Sequence, residues 1–415
     1  MTVLTQQPGR EDQNRRQLGI CALLGSLCLF LSAIEYLIPK PLPFMRIGLA
    51  NLPLLLALDI CGPFHFFLLA LIKVLGQGII GGTLFSYVFL FSFTGTFASA
   101  FVMYALRFLF GKKRLGFTGL GCAGAMASNG VQLLLAKYFI FGSALRYLIP
   151  PFLVSGFITG IALGLICEIF CRRSKWYCLN TGNNEQVTVN NTVSYNDKLP
   201  AEETADEKCS FRLRRSRRWD SLFNADELFI AGLLMAVIFL LNRLPEYRAI
   251  LFLFFCLLAW LSGKKNNIFA TIIMMAGIIF FNMLVPYGKV LASFGPLRIT
   301  QGSLLTGLEK AFTLTGLLML SRACIKSNLQ LPGIPGSVLG ESFRLLELMR
   351  EKKGLISRKN IIYGIDNLLL ELESGISFVQ NDRQNQKRNI KSILLLCAMV
   401  LATASVLFMP ALIKR

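Results

Sequence analysis

Polar side chains that interrupt otherwise apolar stretches are the residues of this sequence best suited to chemistry. Glu35 lies near the end of one apolar run, and Lys73 and Gln77 interrupt another. Asn129 and Gln132 lie three residues apart and share one face of a predicted helix. Polar groups inside a membrane are costly, so each is a candidate functional residue, with hydrogen bonding between helices as the structural alternative. The pattern favours a ligand cavity.

A proline-rich stretch, 35–51, joins the first apolar run to the second. It carries three prolines before Arg46 and Asn51. Proline fixes φ and disfavours helix in the preceding residue, so this loop should be stiff and should cap a cavity. An ordinary tight connection is the alternative interpretation. The predicted substrate-binding residues are Glu35, Arg46, Asn51, Gln77, Asn129 and Gln132.

The sequence lacks the motifs of several common enzyme chemistries. It has no Gly-x-x-x-x-Gly-Lys-Ser/Thr phosphate loop and no pair of aspartate-rich motifs that would hold magnesium and a diphosphate. His65 is the single histidine and has apolar neighbours, so no Ser-His-Asp or Cys-His catalytic set is expected. Eleven cysteines occur without paired ligand spacing, the nearest approach being Cys167, Cys171 and Cys178. We predict a reduced chain that is not an enzyme and binds no metal or cofactor.

Composition indicates the elements that must position these side chains. Hydrophobic residues make up 54% of the 415 residues and charged residues only 16%, whereas roughly a quarter of a soluble domain is charged. The formal net charge of +20 comes mostly from basic residues at the ends of apolar runs, where they set membrane topology. We therefore expect an all-α polytopic protein of the bacterial cytoplasmic (inner) membrane, in contact with lipid and not with nucleic acid.

Apolar runs divide the chain into two membrane units. A cytoplasmic amino terminus, 1–16, precedes six runs in 17–175, two of them short enough to be kinked or partly inserted. The polar, arginine-rich segment 176–225 predicts a flexible cytoplasmic linker. Five further runs in 226–415 predict a second membrane unit.

Two amphipathic cytoplasmic helices are predicted in the second unit, at 337–352 and 359–379. Leu339, Phe343 and Leu346 recur at helical spacing in the first of them, with charged residues between. Such helices can lie on the membrane, pack on their own membrane domain or dock into a partner. Docking of these helices into a partner gains support because the chain has no ATPase motif of its own.

Several short motifs occur in register across the first unit. They are Glu35 with Ile38-Pro39 and Pro41, Gly48-Leu49-Ala50-Asn51, Lys73-Val74-Leu75, Gly82-Thr83-Leu84-Phe85-Ser86, and Gly124-Ala125 leading to Asn129-Gly130 and Gln132. In these motifs residues 17–171 resemble the Gx transporters, also called heptaprenyl diphosphate synthase component I. That family is similar to the substrate-binding S components of energy-coupling factor (ECF) transporters. Ser128 departs from the family pattern, in which we expect a histidine at this position.

The second unit carries a weaker set of motifs. They are Ile299-Thr300-Gln301-Gly302, Gly307, Gly316 and Ser321-Arg322, followed by the two amphipathic helices and a final span. In these the unit resembles the T component of ECF transporters, whose coupling helices end in Ala-Arg-Gly-like signatures that engage the ATPases. Ser321-Arg322-Ala323 and Arg350-Glu351-Lys352-Lys353-Gly354 stand there in this chain. The resemblance implies as coupling residues Arg322, Arg350, Lys352, Lys353 and Gly354.

These resemblances imply a fused membrane subunit of an ECF-like transporter that works with separate ATPases. It would capture a small organic molecule, vitamin-like or related to prenyl, quinone or flavin compounds. Aromatic residues in 85–93 favour a partly apolar ligand. The alternative is a non-catalytic accessory membrane subunit of heptaprenyl diphosphate synthase or of isoprenoid quinone metabolism, with a soluble prenyltransferase as partner.

Overall fold

Helices make up nearly the whole of the described chain, as the apolar runs predict. The computed structural model describes residues 10–36, 48–182, 215, 219–242, 244–264, 268–294, 297–326, 329, 332–352, 361–374 and 390–413. Within those ranges, six helices are long and apolar enough to cross a bilayer. The prediction of an all-α polytopic membrane protein is confirmed.

The described part of the front unit has six helices, five of them long and apolar enough to cross a bilayer. They are α1 (Arg10–Tyr36), α2 (Leu52–Ile60, preceded by a 3-10 turn at Leu49–Asn51), α3 (Pro63–Gly81), α4 (Tyr87–Arg114), α5 (Phe117–Ala136) and α6 (Ile149–Arg173). The nine residues of α2 rise only about 14 Å, roughly half of a bilayer core. The expectation of a kinked or partial α3 is wrong. Its 19 residues form one helix because Pro63 lies in the first turn, where proline needs no hydrogen-bond partner.

Five long helices and one hairpin occur in the described residues of the back unit. The helices are α8 (Ala225–Leu241), α9 (Pro245–Leu261), α10 (Ile268–Met283), α11 (Gln301–Cys324) and α14 (Ile390–Ile413). Strands β1 (Val290–Phe294) and β2 (Leu297–Thr300) pair antiparallel just before α11. The hairpin was not predicted, because its strands are too short to show a period.

Three short or amphipathic helices connect the two units. They are α7 (Lys175–Thr181), α12 (Gly333–Glu351) and α13 (Ile361–Ser374). The predicted linker, 176–225, thus begins inside a helix. The apolar faces of α12 and α13 join the hydrophobic core of the front unit, where Leu346, Met349 and Leu369 are buried with residues of α1 and α3. The amphipathic helices therefore cover the front unit, although the sequence places them within the back unit.

Helices α1 and α12 pack closely where they cross. Ser342 is fully buried on α12, and its Oγ donates to the carbonyl oxygen of Ala22 at 3.1 Å. A Cβ on Gly25 would lie 2.7 Å from that Oγ and 3.1 Å from Cγ2 of Ile72. Gly25 therefore sets the distance between the two helices.

Gly25→Leu is expected to lower the stability of the front unit by about 1–3 kcal/mol, as overpacking of a filled core does. Thermal unfolding of the detergent-purified protein measures the change. Gly277→Leu on α10 is the matched control, because nothing lies within 4 Å of a Cβ there. Equal effects of the two substitutions would contradict the close contact.

Candidate functional site

A polar cavity of about 50 Å³ lies inside the front unit, between α1, α3, α4, α5, α6 and the turn before α2. Of the six predicted binding residues, five line it, and Arg46 lies outside the described residues together with the rest of the predicted cap, 37–47. The lining consists of Glu35, Gly48, Ala50, Asn51, Lys73, Gln77, Ser92, Thr96, Ala125, Ser128, Asn129, Gln132, Thr159 and Leu163. The structure thus brings together side chains that are up to 128 residues apart.

One end of the cavity is charged. Glu35 on α1 and Lys73 on α3 are 3% and 4% exposed. The Glu35 carboxylate accepts a hydrogen bond from Gly48 N at 3.2 Å, and Lys73 Nζ donates to Oδ1 of Asn51. Gly48 has a φ of 88°, a left-handed conformation that favours glycine. A carboxylate and an amine therefore hold the two ends of the turn that leads into α2.

The other end of the cavity is lined by amides. Asn129 Nδ2 donates to the carbonyl oxygen of Phe152 at 3.0 Å, and Gln132 Nε2 donates to Oγ of Ser128 at 3.0 Å. Each amide lies against a glycine. A Cβ on Gly156 would lie 1.9 Å from Asn129 Nδ2, and one on Gly95 would lie 2.6 Å from Gln132 Nε2. Ser128, the departure from the family pattern, belongs to this amide end.

Polar lining residues outside the predicted substrate-binding set are Lys73, which the sequence marks only as a general candidate, and the hydroxyls of Ser92, Thr96, Ser128 and Thr159. Lys73 had a clear signal, a charge inside an apolar run. Ser92 and Thr96 are four residues apart on α4, which places them on one helix face. Single hydroxyls are a weak signal because they can bond to their own helix, as Thr159 Oγ1 does with the carbonyl oxygen of Gly156 at 3.2 Å.

The expected aromatic lining is not found among the described residues of the cavity wall. Phe91 is buried in a core shared with α10 and α11. Phe85 packs on Phe229 of the back unit, with ring centroids 5.1 Å apart. Phe91 of α4 therefore packs on α10 and α11, and the face that carries Ser92 and Thr96 meets the cavity.

The predicted coupling residues fall in two places. Arg322, at the end of α11, contacts the turn after α3, where its Cα would lie 3.1 Å from a Cβ on Gly82. Arg350 is exposed at the end of α12, and Lys352 pairs with Glu371 of α13. Lys353 and Gly354 lie outside the described residues. Arg322 therefore contacts the front unit, whereas Lys352 pairs within the amphipathic helices.

A buried carboxylate fastens α13 to α7. Asp366, 2% exposed, accepts hydrogen bonds from Ser174 Oγ and from the backbone N–H groups of Lys175 and Trp176, the latter two at 3.0 Å. The first N–H groups of a helix have no partner within it. Asp366 thus caps the helix that follows α6 of the front unit.

A second buried carboxylate closes the end of α2. Asp59 accepts hydrogen bonds from Nε of Arg107 at 2.9 Å and from Oη of Tyr177 at 2.8 Å, and Nη2 of Arg107 lies 2.6 Å from its Oδ2. Burial, with the Asp59 carboxylate nearby, raises the pKa of the Tyr177 phenol. The three side chains join α2, α4 and α7.

Residues 24–170 match the family described as heptaprenyl diphosphate synthase component I. The front unit belongs to this family. The match covers every described residue that lines the cavity, so the site lies within the component I domain.

The back unit matches a different family model from the front unit. Residues 228–327 match a domain of unknown function, DUF8519. No curated protein and no solved structure matches the chain. The resemblance to T components therefore stays a prediction. In the described part of the chain the cysteines are free, and no three His, Cys, Asp or Glu side chains come together as a metal site.

Proposed function

We propose that this protein is the membrane subunit of an ECF-like transporter in the bacterial cytoplasmic membrane, with its amino terminus in the cytoplasm. The component I domain captures a small organic molecule, and the back unit couples it to separate ATPases. The observation that carries the proposal is the polar cavity inside a membrane-spanning unit.

The lining of this cavity is costly unless it serves a ligand. Glu35 and Lys73 are charged and buried in helices of spanning length, and intramembrane charges are rare outside functional sites. Apolar side chains would fill the same space at lower cost. Both groups hold the turn before α2, and capture of a solute gives them a second role inside the cavity.

The docked amphipathic helices support coupling. Their apolar faces are used on the front unit, so a partner has access to the outer face of α12, where Arg344, Glu347 and Arg350 are exposed. α12 packs on α1, which carries Glu35 beyond the contact, and on α3, which carries Lys73 and Gln77. Movement of α12 by an ATPase would therefore tilt the helices that hold the charged end of the cavity.

A second candidate function rests on the printed description of the family. An accessory subunit of heptaprenyl diphosphate synthase would hold a soluble prenyltransferase at the membrane and would transport nothing. The outer face of α12 would then bind that enzyme.

Purification of the full chain from its native cells separates the two functions. We expect ATPase subunits to copurify, and alanine at Arg350, Lys352 and Lys353 to weaken their binding about tenfold or more, since three charged contacts are lost. Alanine at three exposed basic residues elsewhere, Lys137, Arg146 and Lys289, is the matched control.

Recovery of a prenyltransferase in place of ATPases would support the accessory role. If neither class of protein copurifies and the first alanine set leaves activity intact, coupling through α12 is wrong.

A further inference from the structure

The segment between α5 and α6 takes part both in the cavity and in the contact with the back unit. We propose that Asn282 of α10 is a positioning residue, which holds this segment, and through it the amides of Asn129 and Gln132, against the back unit. The amide end of the cavity then follows α10 and α11, as the charged end follows α12. This inference rests on the proposed capture function and specifies how the same site is regulated.

Asn282 is 6% exposed and forms hydrogen bonds in two directions. Its Nδ2 donates to the carbonyl oxygen of Ile140 in the front unit at 3.3 Å and to that of Ile278, on its own helix, at 2.8 Å. Its Oδ1 accepts from Nζ of Lys310 on α11 at 3.2 Å. A buried amide is tolerated when its polar atoms are hydrogen-bonded. Asn282 therefore connects two helices of the back unit to the backbone of the front unit.

The acceptor on the front unit lies in a stretch of unusual backbone. Ile140 belongs to a π-helical turn, Lys137–Phe141, which continues α5 without a break. Single π turns are rare and occur frequently at functional sites. Carbonyl groups in the last turn of a helix have no partner within it, so a donor from another element stabilises such a turn. Asn282 supplies that donor.

An apolar core surrounds this polar contact. Its members from residues 137–152 and from the back unit are Ile140, Phe141, Ala144, Leu145, Leu148, Phe152, Ile278, Ala311 and Leu314. Within the same contact, the rings of Phe141 and Phe281 meet edge to face with their centroids 5.7 Å apart. Packed cores have low compressibility and transmit strain. A displacement of α10 therefore moves the segment between α5 and α6 with it.

Both ends of that segment reach the cavity. Gln132, which lines the cavity, precedes Ile140 by about two turns of the same continuous helix. Phe152 lies at the other end, where its side chain is buried in the shared core and its carbonyl oxygen accepts from Nδ2 of Asn129 at 3.0 Å. One residue thus contacts the back unit and a cavity-lining amide. A change in the position of Phe152 therefore changes the position of the Asn129 amide.

Hydrogen–deuterium exchange in the detergent-purified full chain tests the contact. Asn282→Leu removes the amide at nearly constant volume, and we expect amides in 137–148 to exchange about three- to tenfold faster, the effect of one hydrogen bond. Asn242→Leu is the matched control. Asn242 is also buried in the back unit, but its Oδ1 accepts from Leu244 N of that unit at 3.2 Å. Exchange in 137–148 should keep its rate in the control.

A milder substitution applies if Asn282→Leu does not fold. The hydroxyl of Asn282→Ser can donate to the carbonyl oxygen of Ile278, four residues back on the same helix. It is too short to replace the amide at Ile140. This variant keeps the bond within α10 and loses the bond to the front unit, so exchange in 137–148 should again be about three- to tenfold faster.

A second substitution distinguishes positioning of the cavity from local support of the turn. Asn129→Ala removes the bond to Phe152 and should accelerate exchange in the first turns of α6. The effects of independent sites multiply, whereas those of coupled sites do not. In a chain that carries Asn282→Leu, Asn129→Ala should accelerate this exchange about threefold less than it does alone, because the segment is already displaced. Combined with Asn242→Leu, it should act as it does alone.

The outcomes separate the role of Asn282 from the function on which it rests. Unchanged exchange in 137–148, or effects of Asn282→Leu and Asn129→Ala that multiply, would overturn the positioning role and leave the capture function in place. The transport function fails on a different observation, the recovery of a prenyltransferase in place of ATPases. Coupled effects of the two substitutions would then still support the positioning role, because the exchange measurements contain neither partner.

Discussion

Replacing Asp366 with alanine is expected to release α13 from the front unit. The carboxylate is buried and accepts hydrogen bonds from Ser174 Oγ and from the N–H groups of Lys175 and Trp176. Hydrogen bonds to charged groups contribute about 1.5–3 kcal/mol, so a loss of about 2–3 kcal/mol shifts the docking equilibrium by about 30- to 160-fold. Hydrogen–deuterium exchange at the amides of α7 should accelerate by a similar factor.

The neighbouring residue on α13 provides the control for this experiment. Asn367 is exposed, so Asn367→Ala changes the same helix without removing a buried contact. Exchange in α7 should stay at its original rate in that variant. If Asp366→Ala exchanges no faster than Asn367→Ala, the carboxylate does not hold the two helices together.

The same substitution tests how the two units communicate under the proposed function. Ligand binding should persist in Asp366→Ala, since Asp366 does not line the cavity. Transport driven by ATP should fall, because movement of the amphipathic helices would no longer pull on α7 and α6. A variant that loses binding and transport together would assign Asp366 a structural role only.

The amphipathic helices show how far sequence reasoning reaches in this fold. The spacing of Leu339 and Leu346 predicts both the helix and its apolar face. It does not predict what that face covers, because the matching surface on α1 around Ala22 and Gly25 is made of small residues that have no directional signal. Contacts between segments that are distant in the sequence depend on the complementary shapes of the two surfaces. The spacing of residue types gives little information about those shapes.

Several residues of the candidate site could be predicted from the sequence, whereas the complete set of side chains that line the cavity could not. Glu35, Gln77 and Gln132 stand out because polar groups in apolar runs are few, and the structure places all three around one cavity. The orientation of α4 was not predictable, since aromatic residues occur on several of its faces. The aromatic residues in 85–93 therefore led to the prediction of a partly apolar ligand, whereas the residues of α4 that line the cavity are Ser92 and Thr96.

The largest loss of stability is expected for Asp59→Ala. Asp59 and Arg107 are 5% and 11% exposed and form a buried ion pair, so removal of the carboxylate leaves the guanidinium unpaired. Breaking such a pair typically costs about 3–5 kcal/mol, measurable as the free energy of unfolding in detergent. Tyr177→Phe removes one neutral donor and should cost only about 1 kcal/mol.

The double variant Asp59→Leu with Arg107→Leu distinguishes the loss of an attraction from the cost of leaving a charge unpaired. Replacing both members of a buried ion pair with apolar groups is often nearly neutral, so the double variant should be more stable than Asp59→Ala. A double variant as unstable as Asp59→Ala would show that the pair itself stabilises the fold. In that case the bonds among Asp59, Arg107 and Tyr177 would be needed to hold α2, α4 and α7 together, in addition to neutralising the two buried charges.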